Sequence, residues 1–71
     1  MLNPNQEVRK VIIKHRVDRR SNIYVKVVDD ESQYHIGDYF AETNQIQFYG
    51  ARLTNPQIIK ILVLIEREVN Q

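Results

Sequence analysis

The stretch from Thr54 to Gln71, TNPQIIKILVLIEREVNQ, limits what this chain can become more than any other. It is the one segment long and regular enough to read directly as a helix, and it holds the densest apolar content. Thr54 followed by Gln57 fits a capping box, in which each side chain satisfies an orphan backbone N–H of the first turn. Asn55 and Pro56 support nearly the same start, with Asn55 as the cap and Pro56 at the first helical position. The helix is therefore predicted to begin within a residue of Asn55 and to reach Val69. At about 100° per residue, Ile58, Ile61, Leu62, Ile65 and Val69 share one stripe, with Lys60 and Arg67 opposite. Val63 and Leu64 flank the two cations and Ile59 lies on the boundary. A helix apolar nearly all round is usually covered nearly all round.

With 71 residues the chain is expected to form one domain, spanning 1–71. A core of that size rarely supplies more than about 3–5 kcal/mol without a staple. There are no cysteines, which excludes disulfides, thiolate zinc sites and thiol redox chemistry. Two histidines make a structural metal improbable on ligand count. Oligomerisation is the remaining staple, and the second apolar side of the helix, at Ile59, Val63 and Leu64, is the expected face of a homodimer. The longest unbroken apolar run, Ile61 to Ile65, falls far short of the roughly 18–20 residues of a membrane span. No charged-then-apolar leader opens the chain, so a secretory signal is not expected and the cytoplasm is the expected compartment.

Ahead of the helix the chain reads as strands and turns. Met1 to Gln6 is polar and is expected to be a short loose lead-in. Glu7 to Val17 supports two readings. As a strand it places Val11, Ile13, His15 and Val17 on one face; as a helix it places Val8, Val11, Ile12 and His15 on a stripe. Its aliphatic residues are all β-branched, which favours the strand. Asp18 to Asn22 reads as a turn, Ile23 to Val28 as a strand, and Asp29 to Ser32 as a reversal. Tyr34 to Ala41 follows as a strand, with Gly37 beside Asp38 hinting at a bulge. Gln45 to Tyr49 is a short strand, stopped by Gly50, and Ala51, Arg52 and Leu53 lead into the helix. The expected architecture is α+β: an antiparallel meander of three or four strands with the C-terminal helix on one face. If residues 4–17 were helical the order would be α-β-β-β-α. The inner face is predicted to hold Ile23, Val25, Val27, Ile36, Phe40, Ile46 and Phe48.

On the outer face the same alternation places Tyr24, Tyr39 and Tyr49 with His35 and Lys26. Rings interleaved with cations are what a single-stranded nucleic acid platform requires, because bases stack on rings while Lys and Arg follow phosphates. Tyr is also a good strand residue and is common at protein interfaces. Arg16, Arg19 and Arg20 form a basic tip able to grip phosphates. Residues 1–28 hold seven Lys and Arg against two carboxylates, whereas residues 29–71 hold three against seven. This asymmetry implies that the first part meets something acidic, whether nucleic acid or the other half of the same protein.

Motifs for chemistry are sparse. His15, His35 and Asp38 lack the paired spacing of a zinc site. Asp29, Asp30 and Glu31 lack the alternation and central glycine of a calcium loop. There is no nucleophile elbow and no phosphate-cradling glycine loop. The chain is thus expected to be non-catalytic, with no cofactor and no small-molecule substrate. It is read as a binding or regulatory protein acting through protein–protein contacts as a homodimer. The alternatives are a nucleic-acid-binding regulator using the Tyr and Arg/Lys surface, and an inhibitor of a host enzyme encoded by a mobile element.

Overall fold

The structure, a computed structural model, describes residues 2–49 and 53–70. The expected stop at Gly50 and the lead-in at Ala51 and Arg52 lie outside the described residues. Four strands, β1 (Val8–His15), β2 (Arg20–Val27), β3 (Asp30–Phe40) and β4 (Gln45–Phe48), precede one helix, α1 (Asn55–Val69). They pair antiparallel in the order β1-β2-β3-β4. The chain is therefore a small α+β meander with a packed C-terminal helix. Its first segment is a strand, which rules out the α-β-β-β-α order.

Alternation decides which residues of β2 go inward. Ser21, Ile23, Val25 and Val27 are buried, while Asn22, Tyr24 and Lys26 point the other way. Val11 pairs with Val25 and Ile13 with Ile23, so β1 contributes to the same inner face. The core is Leu2, Val8, Val11, Ile23, Val25, Val27, Ile36, Ile61 and Ile65. Strand bounds differ from expectation where turns are tighter than composition implies. β2 begins at Arg20, because Arg16 N–H donates to the Arg20 carbonyl at 3.0 Å and closes the hairpin early. β3 begins at Asp30, paired with Val27 across the turn Val28–Asp29. Val17 was expected on the strand face and instead sits fully exposed in the first turn.

One irregularity changes the outcome for the second half of the sheet. Ile23 pairs with Gly37 but Tyr24 pairs with His35, so Ile36 is an extra residue on β3. A bulge of this kind shifts the inward–outward alternation by one. Tyr39, expected outside, therefore faces inward and packs against the core with Ile46 and Phe48. Phe40, expected in the core, faces outward beneath the Arg20 guanidinium, 5.2 Å from its ring centroid. Gly37 has no room for a side chain: a Cβ there would run into the Gln47 carbonyl oxygen of β4.

The helix starts as its cap residues direct. Gln57 N–H donates to Thr54 Oγ1 at 3.2 Å, and Thr54 N–H donates to Gln57 Oε1 at 3.0 Å. Gln57 does more than cap. Its buried amide Nε2 donates to the carbonyls of Asn3 at 2.8 Å and Gln6 at 2.9 Å. The lead-in is thus not loose: it is tied to the helix, and Leu2 enters the core. This tether draws α1 over β1. The buried stripe becomes Gln57, Ile61 and Ile65, with Ile58 and Leu64 half-buried, rotated by about 50° from the expected one. Leu62 and Val69, expected inside, are exposed in consequence.

Gly37→Ala is expected to lower the unfolding free energy by about 1–3 kcal/mol, the usual cost of forcing volume into a packed site. Urea melts followed by circular dichroism measure it. An unchanged midpoint would show that β4 does not lie against Gly37.

Candidate functional site

The sheet face turned away from α1 collects most of the residues singled out by the sequence. Three rings cross its centre. Tyr24 on β2 stacks on His35 on β3 with centroids 4.9 Å apart and an interplanar angle of 28°. His35 meets Tyr49, just beyond β4, edge-to-face at 5.1 Å. Lys14 of β1 places its Nζ 4.7 Å from the Tyr24 centroid, a cation–π contact from the flank opposite His35.

Beneath the rings lies Asp38, 1% exposed although it belongs to the solvent side of the sheet. The Tyr49 hydroxyl donates to its Oδ2. His35 Nε2 lies 3.3 Å from Oδ1, and the Arg20 guanidinium lies 3.5 Å from Oδ2. Burial pushes the carboxyl up, but the Tyr49 hydroxyl, the His35 ring and the Arg20 charge together outweigh it and hold it below its ordinary value of 3.8. The reciprocal effect, led by the hydrogen bond to Asp38, raises the Tyr49 phenol above 10.0. A shielded carboxylate held below its ordinary range is an anchor for the groups around it, not a proton donor near neutrality.

Asp38 has a cross-strand neighbour, Asn22, which in turn pairs with Lys14 on β1. The Asn22 Oδ1 is buried with no hydrogen-bond partner among the described residues. Such an acceptor is a local cost of about 1–3 kcal/mol. The network around Asp38 has to outweigh it.

The basic tip differs from expectation in its electrostatics. Arg16 lies 3.4 Å from Asp18, Arg19 contacts Glu42, and Arg20 is taken up by Asp38 and Phe40. Arg19 also holds a φ of 64°, a left-handed conformation that a glycine or asparagine would adopt more easily. Lys26 is 3.7 Å from Glu31. Tyr39 leaves this face of the sheet for the other and donates to Asn44 Oδ1 at 2.6 Å. The structure thus unites Arg20, Tyr24, His35 and Tyr49 and separates Arg16, Arg19 and Tyr39 from them. Two residues not singled out from the sequence enter the picture, Lys10 and Lys14 on β1, and Asp38, weighed there as a metal ligand, becomes the buried anion instead. Among the described residues neither lysine has a carboxylate within 4 Å. Their i, i+4 spacing on one strand face was the signal available.

His15 cannot join His35. It lies on the inner face of β1, with Nδ1 2.9 Å from Ser21 Oγ, and β2 separates the two strands. No group of three or more His, Asp or Glu is placed to hold a metal ion among the described residues.

The second candidate surface is the exposed side of α1. Ile59 is 62% exposed, Leu62 42%, Val63 40% and Val69 47%. Leu64, expected in this group, turns toward the sheet and packs against the core. Leu62 and Val69 also border a groove of about 300 Å³ whose other wall is Tyr39 and Ile46, with Asn44, Glu66 and Asn70 at its polar side. No helix among the described residues is long and apolar enough to cross a membrane.

These features define a class, a two-layer α+β meander with one aromatic and cationic face and one apolar helical face. No protein-family model, curated protein or solved structure matches the chain.

Because the folded Asp38 carboxyl sits below 3.8, its contribution to stability is complete above that pH and is lost as pH falls through the folded value. Tyr49, raised above 10.0, contributes fully below pH 10 and loses that contribution as pH rises through its folded value. Stability measured by urea melts is expected to fall below about pH 4, and Asp38→Asn should be less stable at neutrality with a flatter acid limb. An equally steep acid limb in Asp38→Asn would assign the effect to another carboxylate.

Proposed function

We propose that the protein is a non-catalytic binding protein that works through protein–protein contacts and assembles as a homodimer across the outer face of α1. The observation that carries this reading is the exposed run of Ile59, Leu62 and Val63, spaced to lie along one side of the helix. Large apolar side chains grouped on a small domain mark contact surfaces more often than accidents of sequence. A second copy of the same face is the economical partner, because a two-fold axis makes one apolar patch its own complement.

Three helical side chains form only the centre of such an interface, since stable interfaces involve about 20–30 residues a side. The groove between Leu62, Val69, Tyr39 and Ile46 supplies its continuation. Lys60, Glu66 and Arg67 border the patch and suit a polar rim. Self-association would also add burial to the core of a chain this short.

Sedimentation equilibrium at micromolar concentration is expected to return twice the chain mass of 8.5 kDa. Ile59→Glu with Val63→Glu should return the monomer mass with the circular dichroism spectrum unchanged, because both residues are exposed. A parent protein of monomer mass over the whole concentration range would overturn the dimer.

A further inference from the structure

The helix face accounts for one surface and leaves the opposite one unexplained. On that outer face three kinds of side chain follow one another across the strands. Lys10 and Lys14 lie on β1, with no carboxylate within 4 Å among the described residues. The rings of Tyr24, His35 and Tyr49 occupy the centre. Gln45 and Gln47 lie exposed on β4, paired with Phe40 and Asp38 and therefore on the same side. From β1 to β4 the face is about 14 Å wide, three interstrand spacings.

We propose that this face binds single-stranded nucleic acid, with its backbone along β1 and its bases turned toward β4. The order of groups suits that ligand. Lysines engage phosphates, exposed rings offer flat surfaces for stacking, and side-chain amides can bond base edges. An acidic peptide would use the lysines but has no need of a ring array followed by amides. Lys10 also faces Lys26 directly across the ladder; Glu31 answers Lys26 at 3.7 Å, and Lys10 has no such carboxylate among the described residues.

The rings differ in availability. Tyr24 is held between His35 and Lys14 and is half-buried, so it supports the array more than it receives a base. His35 and Tyr49 are exposed and are the stacking surfaces. Asp38 fixes both of them from below, through the Tyr49 hydroxyl and His35 Nε2. A buried anion under a cationic surface is thereby explained: it positions the rings while its own charge is answered by Arg20. The inference does not rest on self-association, because a monomer presents the same face.

The test is fluorescence anisotropy with labelled twelve-nucleotide oligo-dT and oligo-U, and labelled poly-glutamate as the acidic-peptide probe. The oligonucleotides are expected to bind with micromolar affinity at low salt. With two phosphates engaged, the plot of log affinity against log salt should have a slope of about −1.4. Lys10→Gln with Lys14→Gln should weaken binding about tenfold or more and flatten that slope. Tyr49→Phe and Tyr49→Leu both remove the hydrogen bond to Asp38, but only the first keeps the ring. Tyr49→Leu should therefore bind about fivefold or more weakly than Tyr49→Phe. The proposal is overturned if neither oligonucleotide binds, if the lysine variant binds like the parent, or if the two Tyr49 variants bind equally. Poly-glutamate binding as tightly as the oligonucleotides would overturn it in favour of an acidic protein partner.

Discussion

Ile36, the extra residue of β3 opposite Ile23, decides the chemistry of both surfaces of the sheet. Without it Asp38 and Phe40 would point into the core and Tyr39 would point to solvent. On that side the Asp38 carboxylate would lie beyond the reach of the Arg20 guanidinium and the Tyr49 hydroxyl, and a buried carboxylate without charged and hydrogen-bonding partners is costly. With the bulge, Asp38 turns to the one side where Arg20, His35 and Tyr49 can reach it. Tyr39 takes the vacated inward position, and its hydroxyl still finds a partner at the sheet margin in Asn44. Gly37 permits this because only hydrogen occupies the space against the Gln47 carbonyl.

The position of the helix follows from a polar contact as much as from apolar burial. Gln57 satisfies its own cap and, through the same amide, two carbonyls of the chain start. A buried amide with every group paired fixes geometry in a way that interchangeable aliphatic contacts do not. It holds the first turn of α1 over β1, and the rotation this imposes brings Leu64 down and turns Leu62 and Val69 outward. The exposed apolar side of the helix is thus a consequence of where Gln57 is tied. It cannot be closed by rotating the helix without breaking that tie.

These two devices also mark what could be read from the residues alone. Period-two alternation in β2 and the capping box at Thr54 are local patterns; the first gave the correct element and facing, the second the correct start of the helix. The composition of β1 was equally local, since its β-branched residues prefer a strand. Gly37 signalled an irregularity, but which residue became the extra one depended on β2 and β4, and the facing of Tyr39 and Phe40 turned on that single residue. The helix stripe was displaced because an apolar count omits glutamine, and the partners of Gln57 lie 54 and 51 residues away. Non-local hydrogen bonds leave no periodic trace.

The charge asymmetry of the chain resolves in the same non-local way. Arginines of the first half meet carboxylates at Asp18, Asp38 and Glu42, and Lys26 meets Glu31, so the hairpins neutralise much of the positive surplus internally. What is left over is concentrated on β1, an edge strand whose outer neighbour is solvent. Lysines on an edge discourage pairing with a second sheet. That role asks only that they be charged and exposed. It does not account for a ring array beside them or for a buried carboxylate fastening those rings. A protective edge and a ligand-facing edge require the same cations, and the side chains next to them distinguish the two.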